Sequence, residues 1–386
     1  MKMGKSNRPK LSFSKFNDIW ENKILGQIVD IKTGKKDTQN RIENGLYPFF
    51  VRSQTIERIN TFSYDGEAIL TSGDGVGVGK NFHYINGKFD FHQRVYCLKN
   101  FEHNISGKFV YYYFSEFFNK RVMRMTAKNS VDSVRMDMIY DMPIAIPSLS
   151  EQQKIASFLT SVDTKIQLLN KKKTMLEHYK KGVMQKIFNQ EIRFKDENGK
   201  EFPEWEEKKL GEVGEIITGK TPSTSDPDLW NGDNQFVTPT DINETKYQFQ
   251  TQRTIMENGK IKPLPIKSIM FTCIASIGKM SLSVKPCITN QQINSIIPFK
   301  EFDNEYLYYA ILNIVGFIKS TQSSNTLPII NKTEFSKIQI IIPSSKLEQT
   351  KIASFLSALD TKIDHTNTLI EKTKLWKKGL LQQLFV

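Results

Sequence analysis

Two stretches of the chain carry an apolar stripe at helical spacing. In the first, Ile155, Leu159, Val162, Ile166, Leu169, Leu176, Val183 and Ile187 step by threes and fours, with Lys173 and Lys180 interrupting the stripe. In the second, Ile352, Leu356, Leu359, Ile363, Ile370, Leu380 and Leu384 do the same, with Thr366 and Thr373 on the apolar face. A seam that recurs every 3.5 residues or so wants a partner helix, and each stretch offers the other one of equal length. Proline is absent from Glu151 to Phe188 and from Glu348 to Phe385. Each stretch therefore predicts an uninterrupted helix, roughly 38 residues and near 57 Å at about 1.5 Å per residue. The remaining sequence breaks into short apolar runs punctuated by Gly, Asn and Asp, the pattern of strands and turns. One aromatic-rich helix stands late in each such region, KFVYYYFSEFF from Lys108 and NEYLYYAILNIVGFI from Asn304. At helical spacing these aromatic stripes predict core packing, with a base-stacking platform as the alternative.

The chain repeats itself. KIASFLTSVDTKI from Lys154 returns 197 residues later as KIASFLSALDTKI from Lys351, and the match continues from YKKGVMQKIF to WKKGLLQQLF. Upstream, WENKILGQIVDIKTGK from Trp20 faces WEEKKLGEVGEIITGK from Trp205, and IAIPS from Ile144 faces IIIPS from Ile340. The plan is a globular unit followed by a helix, written twice. Asn189 to Lys208, polar and containing Gly199 and Pro203, marks the boundary between the copies. The expected organisation is a globular unit at 1–149, a helix at 150–190, a second unit with its connector at 191–346 and a final helix at 347–386. The fold class is α+β: two globular α/β units related by a pseudo-twofold axis and joined by two long antiparallel coiled-coil helices.

Charge and cysteine usage narrow the class of partner. The 54 Lys and Arg against 41 Asp and Glu give a net charge of +13, which points to a polyanion, nucleic acid before an anionic membrane. A Lys-rich surface that only maintains solubility is the alternative. Cys97, Cys273 and Cys287 are too few and scattered for a disulfide framework, and a reducing cytosol fits them. MKMGKSNRPK has no apolar run behind it, so no secretory signal is expected, and Tyr306 to Ile318 is too short to span a bilayer.

No chemistry-bearing motif is complete. TSGDGVGVGKN, Thr71 to Asn81, is glycine-rich, but Asp74 stands where a phosphate loop needs its first glycine, and Asn81 follows Lys80 where Ser or Thr would reach magnesium. Pro227-Asp228 with Glu244 and Lys246 satisfies a loose nuclease pattern, in which carboxylates hold a metal beside a phosphate. DINETKYQ is polar throughout, unlike the buried strand such a site needs, and the first copy has no equivalent. His83, His92, His103, His178 and His365 do not cluster with the cysteines at ligand spacing.

With the repeat in view, the chain resembles the specificity subunits of type I restriction-modification enzymes, the HsdS family. The resemblance rests on the two-copy layout and on EQQKIASFL and EQTKIASFL opening the two helices, each after an IPS tripeptide. It rests also on WEEKKLGEVGEIITGKTP, which contains Lys220, and on TNQQINSIIP from Thr289. It implies that each globular unit is a target recognition domain reading one half of a bipartite site in double-stranded DNA, and that the helices space the units and dock two modification subunits. It implies no catalysis and no cofactor in this chain: S-adenosylmethionine belongs to the modification subunits, ATP and magnesium to two restriction subunits, and the location is the bacterial cytoplasm. No Asn-Pro-Pro-Tyr or Asp-Pro-Pro-Tyr adenine-methylation motif is present.

On that reading the glycine loop grips phosphate or lines a groove through Gly75, Gly77, Gly79 and Lys80, matched in the second copy by Gly278 and Lys279. A plain hairpin turn is the alternative. His92, Gln93 and Arg94, and their counterparts Asn290, Gln291 and Gln292, are candidate base readers, because bidentate Arg suits guanine and Gln or Asn suits adenine. Hydrogen bonding inside the fold is their alternative use. Arg52, Ser53 and Gln54 after YPFFV, Thr238, Thr240 and Asp241 in VTPTDI, and Lys220 complete the candidate DNA contacts.

Overall fold

The structure is a computed structural model, and it describes residues 8–125, 133–243, 245–256, 262–321 and 329–386. The chain forms two compact units: one comprises residues 1–171 and 367–386, the other 172–366. The helices in chain order are α1 (Gly107–Met125), α2 (Met136–Tyr140), α3 (Leu149–Phe188), α4 (Leu210–Val213), α5 (Asn304–Thr321), α6 (Lys332–Lys337) and α7 (Lys346–Leu384). Both proline-free stretches are thus single helices, of 40 and 39 residues. Each contributes one segment to each unit.

In the first unit the globular part is a six-stranded sheet. Its order is Asp30–Thr33, Val95–Lys99, Tyr64–Ser72, Phe82–Phe91, Tyr47–Phe50, Ile56–Ile59, antiparallel except where Phe49 and Phe50 pair in parallel with Asp90 and Phe91. The aromatic helix α1 backs it, with Phe109, Tyr112, Phe114 and Phe118 at most 1% exposed. Those rings are core, as their spacing predicts. Below, Glu21–Ile24 and Pro143–Ile146 pair as a two-stranded ribbon beside the start of α3, so the WENKI and IAIPS segments of the repeat meet in space.

The second unit uses the same plan with one difference. Gly214–Thr218, Ile293–Pro298, Ile269–Thr272, Met280–Ser283 and Tyr247–Gln248 form one sheet, while Arg253–Ile255, Trp230–Val237 and Cys287–Thr289 form another. The strand that runs unbroken from Phe82 to Phe91 in the first unit is here interrupted between Ser283 and Cys287. Pro286 lies in the gap. A proline has no N–H to offer the ladder and ends a central strand, so one sheet becomes two. Trp205–Lys209 and Gln339–Pro343 pair as the equivalent ribbon.

One arrangement fastens each globular part to the long helices. In the first unit the buried Tyr112 of α1 donates from its hydroxyl to Asp163 Oδ2 of α3 at 2.8 Å and lies 3.2 Å from Thr160 Oγ1. Lys377 of α7 reaches Asp163 Oδ1 at 2.6 Å, with its ammonium 5.4 Å from the Tyr112 ring centre. In the second unit Tyr309 of α5 donates to Asp360 of α7 beside Ser357, and Lys180 of α3 bridges to Asp360 with its ammonium 5.3 Å from the Tyr309 ring centre. Each residue in one set is the repeat equivalent of its counterpart in the other. The ion pairs advance along α3 from Asp163 to Lys180 while retreating along α7 from Lys377 to Asp360, so the paired segments run antiparallel. Lys180, which interrupts the apolar stripe in sequence, is therefore a fastening point. Thr366 and Thr373 are buried and return their hydroxyls to Lys362 O and Leu369 O within α7.

The second unit adds a buried charge pair to this fastening. Lys246, 7% exposed, donates to Glu305 Oε2 at 2.7 Å, to Ser357 Oγ at 2.6 Å and to Tyr309 Oη at 3.1 Å. Burial pushes the Glu305 carboxyl up, but hydrogen bonds from Lys246, Ser357 and Tyr247 outweigh it and hold the group at about 2, below its ordinary 4.5. At Lys246 burial wins instead and lowers the amine, with the Glu305 partner opposing it. A carboxyl depressed in the folded state stabilises above its unfolded pKa and loses that contribution as pH falls through its folded value. The second unit is therefore expected to lose stability progressively from pH 4.5 towards 2. Glu305→Gln, which leaves Lys246 without its charge partner, is expected to be less stable at pH 7 by on the order of 3 kcal/mol and to lack that acid step. Amide hydrogen exchange across Tyr306–Ile311 measures both.

Candidate nucleic-acid interface

The candidate residues of each unit come from separate segments that the sheet brings to one end. In the first unit the parallel pairing of Phe50 with Phe91 carries the chain into Arg52–Gln54 on one side and His92–Arg94 on the other. In the second, Val237 pairs in parallel with Thr289 and leads into Thr238–Asp241 and Asn290–Gln292. The backbone bonds correspond: His92 N donates to Phe50 O, and Asn290 N to Val237 O. Gly73 N donates to Arg94 O, and Cys273 N to Gln292 O. Residues of VRSQ and VTPTDI that look unrelated in sequence thus occupy the same place in the two units.

The glycine run is explained by packing. Asn81, 7% exposed, donates from Nδ2 to Arg52 O at 3.0 Å and to Ser72 Oγ at 3.3 Å, and its Oδ1 accepts from Gln54 Nε2 at 3.0 Å. A Cβ at Gly77 would stand 1.9 Å from that Nδ2, so the loop closes over Asn81 only with glycine there. Gly75 and Gly79 adopt positive φ of 82° and 65°, the left-handed region in which glycine is unstrained. The tip presents Val76, which is 99% exposed, and Lys80 is exposed. In the second unit Gly278 has φ 86°, and Lys279 Nζ reaches Pro239 O at 3.3 Å, where Asn81 contacts Arg52 O in the first.

Side-chain geometry divides the candidate readers. His92 is 2% exposed, its Nδ1 accepts from Arg94 N at 2.9 Å, and its Nε2 lies 3.6 Å from Asp37. Burial, then the Arg52 charge, lowers its pKa. It shapes the turn and offers no edge to a base. Asp241 is 6% exposed and accepts from Thr238 N, Thr238 Oγ1 and Gln252 N, and Asn290, 8% exposed, bonds to Gln292 through both ends of its amide. These two likewise hold turns. Arg52, Gln54, Gln93, Arg94, Lys220, Thr240, Gln291 and Lys279 are exposed, while Ser53, Thr238 and Gln292 are half-buried. Gln93 leans on Asp37 at 3.1 Å and Gln291 accepts from Thr221 at 2.6 Å, which fixes both amides.

Two features escaped the sequence reading. Asp74, inside the glycine loop, bonds Arg52 at 3.0 Å and lies 3.7 Å from Arg94. The exposed Arg253 lays its guanidinium 3.4 Å from the centre of the Trp230 ring, a pre-oriented cation. Arg253 stands in an unremarkable TQRTI run, and only the sheet brings its indole partner near. The nuclease alternative finds no support: the Lys246 ammonium is committed to Glu305, Asp228 lies exposed in a short turn at Pro227–Leu229, and Glu244 lies outside the described residues. Among the described residues no three His, Cys, Asp or Glu side chains group as metal ligands, and no helix is long and apolar enough to cross a membrane. The three cysteines are free and buried, with burial raising Cys97 and Cys287 to about 12 and Cys273 to about 11.

Two copies of one scaffold, alike in core and fastening, present different polar groups at the same strand ends. A family model described as "Type I restriction modification DNA specificity domain" matches the chain twice, over residues 17–178 and 203–375. The chain belongs to that family. The type I restriction enzyme HindI specificity subunit of Haemophilus influenzae is 38% identical over 150 residues, covering 37% of this chain and 33% of that protein. The MjaIX specificity subunit of Methanocaldococcus jannaschii is 32% identical over 200 residues, covering 49% and 46%. The chain thus spans a third to a half of the length of these two relatives. The EcoDI specificity subunit of Escherichia coli is 24% identical over 375 residues, covering 86% of this chain and 80% of that one. The crystal structure of a type I restriction-modification S subunit from M. genitalium shares the fold, with a TM-score of 0.69 at 18% identity over 98% of this chain and 99% of that one.

The packing account of the loop is testable by paired substitutions. Gly77→Ala drives a methyl into Asn81 and is expected to destabilise the first unit by about 1–3 kcal/mol. Gly75→Ala, with nothing within 4 Å of its Cβ, meets only the backbone cost at φ 82°, about 1–2 kcal/mol. Urea unfolding of the two variants should show Gly77→Ala as the more damaging.

Proposed function

We propose that the chain is the DNA-reading subunit of a type I restriction-modification enzyme. Each unit reads one half of a bipartite, asymmetric site in double-stranded DNA. The observation that carries this reading is the pairing of a constant scaffold with divergent strand-end side chains. A single binding activity written twice would keep its contact residues; two different half-sites require them to differ. The net charge of +13 supplies the sequence-independent attraction to a polyanion. Exposed Arg52, Arg94, Gln54 and Gln93 in the first unit, and Gln291, Thr240 and Arg253 in the second, supply base-edge or phosphate donors. Lys80, Lys220 and Lys279 act as phosphate contacts.

The chain itself performs no chemistry on this reading. Modification subunits bring S-adenosylmethionine and methylate adenine N6 on a flipped base, and restriction subunits bring ATP and magnesium. Two modification subunits dock on the long helices. An exposed aromatic stands at the repeat-equivalent position of each helix, Trp376 of α7 at 49% exposure and Tyr179 of α3 at 53%, beside the exposed Leu375 and Met175. An exposed aromatic repeated at the equivalent position suits two copies of one partner. The assembly belongs in the bacterial cytoplasm.

Reconstitution with a modification subunit and mapping of methylated adenines tests the proposal directly. A bipartite motif methylated on both strands is expected, with no methylation or cleavage by the isolated chain; magnesium-dependent cleavage by that chain alone would refute the reading. Lys80→Ala is expected to weaken binding to all sequences and to lower the salt slope by about one unit. Trp376→Ala and Tyr179→Ala should each lower affinity for the modification subunit by roughly tenfold, read by sedimentation, since aromatic anchors dominate such interfaces. Inserting four residues near Lys173 adds about 6 Å of helix and is expected to lengthen the non-specific spacer by one or two base pairs with both half-sites unchanged.

A further inference from the structure

Two arginines of the first unit share one carboxylate. Arg52 Nη1 donates to Asp74 Oδ1 at 3.0 Å, and Arg94 Nε lies 3.7 Å from Asp74 Oδ2. The backbones that carry them are held in turn: Asn81 bonds Arg52 O, and Gly73 N bonds Arg94 O at 2.8 Å. Both guanidinium groups nevertheless face solvent, the side chains being 46% and 66% exposed against 25% for Asp74. Beside them opens a cavity of about 720 Å³ bordered by Gly73, Asp74, Gln93, Arg94, Tyr96 and Arg135.

The second unit is an internal control. The shared backbone bonds superpose Gly73 on Cys273 and Arg94 on Gln292, and Val134 N to Gly73 O matches Ile330 N to Cys273 O. Asp74 therefore corresponds to Ile274, and Arg52, two residues past Phe50, corresponds to Pro239, two past Val237. Three positions from three separate segments change together, from Arg–Asp–Arg to Pro–Ile–Gln. Where no arginine needs holding, no carboxylate is present. Backbone structure does not demand Asp74, because isoleucine occupies the same bridge: Asp74 pairs with Ser133 as Ile274 pairs with Ile329.

We propose that Asp74 is a specificity-determining positioning residue, whose carboxylate holds Arg52 and Arg94 as a fork that selects guanine in the half-site read by the first unit. The proposal rests on the DNA-reading function above. Two unrestrained arginines would repel each other and wander to the nearest phosphates, which carry no sequence information. A carboxylate between them offsets that repulsion and is itself repelled by the phosphates, so the pair is directed to base edges. With Nε of Arg94 turned to Asp74, its two terminal nitrogens remain as an end-on fork, which matches O6 and N7 of guanine in the major groove. The neutral Gln292 at the equivalent place is half-buried, its Oε1 accepting from Asn290 Nδ2 at 3.0 Å, and offers no such fork.

The test uses the full chain assembled with its modification subunits on a DNA pool randomised in both half-sites, with methylated adenines mapped. Asp74→Asn keeps the shape and removes the charge. It is expected to relax preference at one guanine of the first half-site by roughly tenfold or more, leaving the other half-site and the spacing intact. Arg94→Lys, which keeps charge but loses the fork, is expected to relax the same position. An unchanged guanine preference in Asp74→Asn, or an even loss across all sequences with a lower salt slope, overturns the proposal. If Asp74→Asn unfolds the unit, Asp74→Glu decides: it should retain the guanine preference, and its loss in a folded variant refutes the role. Failure of the underlying reading is distinct, since the unaltered complex would then yield no bipartite motif.

Discussion

A buried tyrosine hydroxyl must find an acceptor, and in this protein that requirement organises each unit. Tyr112 and Tyr309 lie in the cores at 1% and 0% exposure, and each satisfies its hydroxyl on an aspartate of a long helix, Asp163 or Asp360. The aspartate is in turn neutralised by a lysine of the other long helix, Lys377 or Lys180. One polar chain thus ties three helices in each unit, and removing the aspartate would leave a buried tyrosine hydroxyl without its carboxylate acceptor. Because the aromatic helix also backs the sheet, the strand ends that carry the candidate side chains inherit their position from this tie.

The two copies are alike in the tie and differ increasingly with distance from it. Gln152 and Gln349 cap the aromatic helices in the same manner, accepting from Ser106 N and Asp303 N at 2.9 Å. One layer further, the polar pairing is rewritten: Glu67 accepts from Tyr84 beside Lys108 in the first unit, and Lys246 meets Glu305 in the second. At the strand ends little is shared but backbone. Core packing tolerates few exchanges, whereas solvent-facing positions are free to diverge, so a single scaffold carries two different surfaces.

The split of the second unit's sheet follows the same logic. Pro286 breaks a strand that the first unit keeps whole, and the three-stranded piece that results carries the stacked pair of Trp230 and Arg253. The break leaves the core intact, because Leu282 before it and Cys287 after it are both fully buried. What changes is the platform from which Thr238–Asp241 and Asn290–Gln292 project. A backbone device of one residue therefore alters the candidate surface without disturbing the fastening below.

The sequence by itself determined the repeat, the two long helices, the aromatic core helices and the family, because each is a matter of periodicity or of local identity that no partner is needed to reveal. It also brought forward segments that the fold gathers at one end of each sheet, since polar clusters following apolar strands mark strand ends. It could not divide those candidates. His92, Asp241 and Asn290 carry side chains as suited to bases as Arg94 or Gln291, and only burial and hydrogen-bond geometry turn them inward. Lys180 reads as a flaw in an apolar stripe until Asp360, 180 residues away in the chain, is placed against it. Asp74 reads as a broken phosphate loop until two arginines from distant strands converge on it. These are interactions between side chains far apart in sequence, and their existence is decided by which backbones the tertiary structure brings within a few ångströms of each other.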